Sequence, residues 1–323
     1  SIAPFTMAGL RLAYLIPILA MCYIQGCYGV DSLGAHDGPY NRNLPCPNPE
    51  DIAPCTCTYV EDDGAMDMDC DNIADEDELY QVFHSLIPFP IFRKLRLPAD
   101  RLTTLSENVF GNATFEEVAV KCSQGISQEQ CNGTLTTVDP NTFIKSASTL
   151  IILRFWSSKI STFPFETLGN YLNLNLFVLN YSPLASFPII NSETITELAL
   201  NYDTYQEIPP NALDGLPNLK TIVLEGNSIT SMAKDLFAYL PDLVQIIMNR
   251  GGLHHLHSQQ FAVSSTNLDV LVLQSNLIED VEPDTFIGVQ SGTIVLYANK
   301  LTTLPEDTWK PLLDAEVFLQ FGG

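Results

Sequence analysis

The chain has 323 residues, 38 of them acidic and 15 basic, for a net charge of −23. That balance argues against nucleic acid as a partner, because phosphate binding needs a basic face, and it disfavours anionic membrane surfaces. The length suits one sizeable domain or two.

In chain order, residues 1–29 read as a secretory signal. Met7 is a start, Arg11 the basic region, and Leu12 to Ile24 an apolar run too short for a usual membrane span. Small residues follow at Gly26 and Gly29, so cleavage is expected near Gly29, with residues 1–6 as upstream translation. No other stretch has the composition to cross a bilayer, which predicts a secreted, extracellular product. Residues 30–45 form a linker.

Residues 46–90 form a cysteine-rich cap. Cys46, Cys55, Cys57 and Cys70 fall in the pattern C-x8-C-x-C-x12-C. Together with Cys122 and Cys131 they make six cysteines outside the signal, an even number that fits an oxidising compartment. A zinc site is a weak reading of one C-x-C with no further ligand set. The stretch Asp67 to Glu78 places acids at the spacing of a calcium loop, but Asn72 stands where the turn needs glycine and Cys70 is needed by the cap. A strand over Met66 to Cys70 with acids outside is the expectation, without flanking helices.

From residue 91 to 323 the motif LxxLxLxxNxL recurs about every 24 residues, giving about nine units and a partial strand. Unit six is typical: Leu219, Ile222, Leu224, Asn227, Ile229, Met232, Phe237. The x-L-x-L core is a short strand whose leucines point inward while the x residues point outward. Asn227, Asn276 and Asn299 sit at the turn, where an amide bonds backbone leaving the strand. Asp takes that place in units one and five, Ser in units three and four, and Gly251 in unit seven. Each second half packs an aromatic, such as Phe237 or Trp309, on the far side.

Unit two is interrupted by a loop that Cys122 and Cys131 are expected to close. The sequons at Asn112 and Asn132 flank it, and a third lies at Asn180, followed by Pro183. His254, His255 and His257 cluster on unit seven and read as an idle surface group. The last strand, Val317 and Leu319, has no cysteine cap, so the chain continues, a partner covers it, or a second copy pairs there.

These repeats resemble the leucine-rich repeat family in its extracellular class of about 24 residues, over about residues 46–320. The resemblance implies an α/β solenoid: a leucine-rich repeat horseshoe with a parallel concave sheet and a disulfide N-terminal cap. By analogy with that cap, Cys46 pairs with Cys57 and Cys55 with Cys70. The outward residues then face the concave side. Arg96 and Arg154 are outward cations there, with Lys94. The middle outward row reads Val178, Ala199, Val223, Ile247, Val272 and Val295, which is apolar where solvent-facing residues are usually polar. Trp156 and Tyr297 fall in the next row, with Asn201, Glu225, Asn249 and Gln274. The outward face is therefore the expected partner-binding surface.

No nucleophile–base arrangement, phosphate loop or metalloprotease motif occurs, so no catalytic residue, metal or cofactor is assigned. The segment PCTCTYVEDDGAMDMDC followed by the repeats is similar to arthropod secreted leucine-rich repeat proteins. That resemblance implies a non-catalytic accessory role beside a small secreted catalytic subunit of luciferase type. The alternative is an innate-immune or extracellular-matrix module that recognises a glycan or receptor.

Overall fold

A computed structural model of the chain describes residues 46–61, 64–85, 87–125, 131–156 and 159–321. The signal, its cleavage site and the 30–45 linker lie outside the described residues. One 12-stranded sheet runs through them in sequence order. Its strands are β1 Thr56–Val60, β2 Ala65–Asp69, β3 Ile91–Pro98, β4 Thr114–Lys121, β5 Ile152–Trp156 and β6 Leu176–Asn180. They continue as β7 Glu197–Ala199, β8 Thr221–Val223, β9 Gln245–Ile247, β10 Val270–Val272, β11 Thr293–Val295 and β12 Phe318–Gln320. Only β1 runs antiparallel to its neighbour; every later pairing is parallel. Sequential order in a parallel sheet means that each repeat adds one strand and returns outside, which is a solenoid.

The inward leucines form one continuous core. Leu95, Val118, Leu153, Phe177, Leu198, Ile222, Ile246, Leu271 and Ile294 are buried within it. The register pairs these residues directly with one another along the sheet. Behind them the aromatics stack. Phe237 lies 5.9 Å from Phe261, Phe261 6.0 Å from Phe286, and Phe286 5.9 Å from Trp309, ring centroid to centroid. Such pairs contribute beyond the area they bury.

The cap is an antiparallel hairpin of β1 and β2, closed by Cys46–Cys57 and Cys55–Cys70 disulfides. Helix α1, Pro49–Ile52, tucks Ile52 beneath it. The expectation of no helix beside the acidic stretch is corrected. Helix α2 spans Glu76–His84, and the Asp75 side chain accepts the Glu78 N–H while Glu78 accepts from Ala74. The D-x-x-E spacing of a capping box is its sequence signal. Two acids of this stretch have partners within the cap and first repeat: Asp67 pairs with Arg93, and Asp69 accepts the Asp71 N–H. Helix α3, Glu306–Asp314, replaces the irregular outer segment after unit nine and buries Trp309 and Leu312.

The turn residues form a ladder. Asn227 Nδ2 donates to Leu200 O at 2.7 Å, and its Oδ1 accepts the Asp203 N–H at 2.7 Å. Asn276 and Asn299 repeat the pattern toward Met248 and Leu273. Gly251 stands where an asparagine is expected because the space is taken. A Cβ there would lie 2.7 Å from Asn276 Oδ1, the atom that accepts the Leu253 N–H. Asp203 accepts the Ser182 N–H at 2.9 Å through Oδ1, while its Oδ2 is buried without a partner. Burial pushes its carboxyl up to about 8 against an ordinary 3.8.

Candidate functional site

Each strand sends three side chains to the open, concave face of the sheet. The first outward row runs Lys94, Glu117, Ile152, Leu176, Glu197 and onward to Gln245. The middle row runs Arg96, Ala119, Arg154, Val178, Ala199, Val223, Ile247, Val272 and Val295. Residues two further along each strand make the third: Lys121, Trp156, Asn180, Asn201, Glu225, Asn249, Gln274 and Tyr297.

The register places the expected apolar row as aligned, but not as exposed. Val178, Ala199, Val223 and Ile247 are 3–4% exposed, and Val272 and Val295 are 8% and 6%. The expectation of a solvent-exposed patch is therefore corrected. Parallel strands stand about 4.8 Å apart, so each β-branched side chain is walled in by its row-mates and by taller rows on either side. The six residues lie outside the inner core and form a close-packed floor. From Asn180 to Gln274 the third row is buried too, although polar. Asn180 Oδ1 accepts the Asn201 N–H and Asn201 Oδ1 accepts the Glu225 N–H, at 3.1 and 2.9 Å. Asn180 is thus a rung of this row, 4% exposed, and the expectation that it carries a glycan is corrected. Asn112 and Asn132 are exposed. Further along, the Asn249 Oδ1, Gln274 Oε1 and Gln245 Oε1 atoms are buried without a hydrogen-bond partner.

Arg96 and Arg154 are not free cations. Arg96 Nη2 donates to Asp71 at 3.3 Å and to the Cys122 carbonyl at 3.1 Å, with Asp69 4.0 Å away. Arg154 donates to Glu117 and is buried. Lys94 also meets Glu117, at 3.2 Å. The Lys121 ammonium sits 4.2 Å over the Trp156 ring, and the Arg154 guanidinium is 5.9 Å from it. Burial, then the like charges of Lys94 and Arg154, push Lys121 down to about 8. Sequence reading missed Lys121 and Glu117; both fall on outward positions of the same register as Arg154, which was the available signal.

A second feature escaped the sequence. The residue before each turn adopts a left-handed backbone in six successive units: Tyr181, Tyr202, Gly226, Arg250, Ser275 and Ala298. These positions form a column along the rim of the concave face. Tyr181 stacks on Tyr202 with centroids 4.5 Å apart and planes 4° from parallel. Gly226 leaves room for the Tyr202 ring, since a Cβ would come within 2.3 Å of it. Tyr202 Oη donates to Glu225 Oε1 at 2.9 Å, and Arg250 Nη1 donates to both, at 3.1 and 3.0 Å. Burial and the Glu225 carboxylate raise the Tyr202 hydroxyl to about 12.

On the opposite flank, His255 faces Asp280 and His257 faces Glu282 across a two-residue parallel pairing, with His254 4.0 Å from Glu279. All are well exposed. Among the described residues no three His, Cys, Asp or Glu side chains gather as a metal site, and no helix is long and apolar enough to cross a membrane.

Comparison with known proteins fits this geometry. A family model described as leucine rich repeat matches residues 193–253. The chain is 32% identical over 318 residues to the Oplophorus-luciferin 2-monooxygenase non-catalytic subunit of Oplophorus gracilirostris, covering 96% of this chain and 83% of that one. Among solved structures it is similar to the TLR13 chain of the TLR13–ssRNA13 complex, with a TM-score of 0.63 and 20% identity, over 78% of this chain and 35% of that one. It is also similar to a chain of the octameric complex of Latrophilin 3, Unc5D and FLRT2, with a TM-score of 0.54 and 20% identity, over 74% and 69% of the two chains. At that identity the structural likeness speaks for the fold.

Proposed function

The chain belongs to the leucine-rich repeat family, and from that premise and its likeness to the Oplophorus non-catalytic subunit we propose that it is a secreted accessory subunit of an enzyme complex of luciferin-monooxygenase type. The observation that carries the reading is the 32% identity along 96% of the chain, which runs through cap and repeats alike. As a leucine-rich repeat protein it is a binding module rather than an enzyme. The three disulfides among the described residues fit an oxidising compartment.

In this reading the concave face holds a small catalytic polypeptide. The proposed contact strip runs from Arg96 and Arg154 past Trp156 to the floor of Val178, Ala199, Val223, Ile247, Val272 and Val295, and ends at Tyr297. The floor is too shielded to provide much contact area by itself. Its role is to fix a flat, unyielding base from which Tyr202, Arg250 and Tyr297 reach the partner.

The test is to mix the purified chain with the catalytic polypeptide of a luciferin monooxygenase and follow size-exclusion elution and light emission with luciferin. One stoichiometric peak, with light output or enzyme lifetime changed, is expected. Separate elution and unaltered emission would overturn the reading, and binding of the chain to a polysaccharide instead would move it to glycan recognition.

A further inference from the structure

We propose that Lys94, Arg96, Lys121 and Arg154, on three adjacent strands at the cap end of the concave face, form a site for one carboxylate group of a protein ligand. The proposal rests on the reading of that face as the binding face and names the chemistry that one part of it recognises. The four cations come from β3, β4 and β5, and the register brings them together. Arg96 lies opposite Ala119, Arg154 lies opposite the same Ala119 from the other side, and Lys121 is two residues further on.

The acids facing the group do not exhaust its donors. Glu117 is shared between Lys94 and Arg154. Asp71 pairs with Arg96 Nη2, and the buried Arg96 Nε makes no hydrogen bond, with the Asp69 carboxylate 4.0 Å from it. Glu197 stands within the field of Arg154, and burial raises its carboxyl. Lys121 pairs with no carboxylate among the described residues; its ammonium has only the face of Trp156. The half-buried Lys121 ammonium, ringed by three other cations, is therefore the donor that lacks an acceptor. A partly buried donor left without a partner is costly, and a carboxylate oxygen satisfies it through a charge-assisted bond.

The rest of the molecule limits what that anion is. With a net charge of −23, the protein repels a polyanion at long range, whereas a single carboxylate on a protein surface brings one charge to one local positive site. Binding such a group also takes up protons. Burial, and then the neighbouring cations, make protonation of Lys121 costly; an anion among those cations offsets their repulsion, so ligand and proton favour each other reciprocally.

The experiment labels the full chain with 13Cε-lysine and follows the Lys121 resonance through pH by NMR, assigned from Lys121→Arg. Sodium acetate serves as the carboxylate probe, against sodium chloride at equal ionic strength. In chloride the midpoint is expected at about 8. In acetate it should rise by about half a pH unit or more, which corresponds to roughly threefold tighter acetate binding by the protonated form. Arg96→Gln, checked for an unchanged melting curve, should abolish the rise, and exposed Lys220 should show none. An acetate midpoint equal to that in chloride overturns the proposal. So does a heparin hexasaccharide that raises the midpoint more than acetate at equal charge concentration, because the site would then favour a polyanion. No partner protein is needed, so the titration can fail while the complex with a catalytic polypeptide still forms, and the reverse.

Discussion

From the cap to unit three the middle outward row reads Asp69, Arg96, Ala119, Arg154; from unit six to unit nine it reads Val223, Ile247, Val272, Val295. The inward neighbours of both stretches are apolar and buried in one core. One end of the concave face is thus a network of shared ion pairs, and the other a packed apolar floor edged by buried amides. The difference shows that the two faces of each strand answer to separate demands. The inner face is fixed by packing against the next unit, and the outer face is free to differ along the array.

The largest effects should ignore that contrast. Leu95→Ala at the charged end and Ile246→Ala at the neutral end each remove a fully buried inward side chain, and each should cost about 2–5 kcal/mol in chemical denaturation. If one end tolerated the change and the other did not, the shared core would be the wrong description.

Asp203 is the next lever, because it puts a buried carboxyl at a turn position that units six, eight and nine fill with asparagine. Its folded value of about 8 lies above the ordinary 3.8, so the folded chain keeps a proton that the unfolded chain releases. Stability from this group is full below about pH 4, falls as pH rises toward 8, and is flat above. Asp203→Asn supplies an amide, as Asn227 does in the next turn. Thermal melts should show the variant gaining on the parent by a few kcal/mol near pH 8 and hardly at all near pH 4. A constant difference across that range would contradict the assignment.

The smallest change expected is at the rim. Gly226→Ala combines a φ of +71° with a Cβ that meets the Tyr202 ring, and should cost about 1–3 kcal/mol. It should also shift the near-ultraviolet dichroism of the stacked Tyr181–Tyr202 pair. Retention of that signal would show that the ring moves aside without effect.

The inward half of every repeat was legible in the sequence, because the leucine spacing encodes which side chains stack, and the turn asparagines stand at their expected places. Exposure was not legible. Val223 reads as solvent-facing from alternation alone, yet neighbours from other strands close over it, and alternation carries no information about how close those strands stand. Asn180 fails as a glycan site for the same reason. Helix α2 was hidden because Asp75 and Glu78 were weighed as metal ligands when their spacing serves the backbone. The pairing of Lys94 and Arg154 on Glu117 depends on contacts 23 and 37 residues apart in sequence, which become visible only once the strands are aligned.

The left-handed column on the rim has a consequence for how such a molecule diversifies. Its members touch chiefly one another: ring on ring at Tyr181 and Tyr202, ring over glycine at Gly226, and guanidinium back to hydroxyl from Arg250. Across the six positions stand tyrosine, glycine, arginine, serine and alanine at similar backbone angles, above an inward row that stays apolar. Specificity at this edge is therefore written like a line of type in a fixed frame. Neighbouring letters must agree with each other, and new text can be set without rebuilding the press.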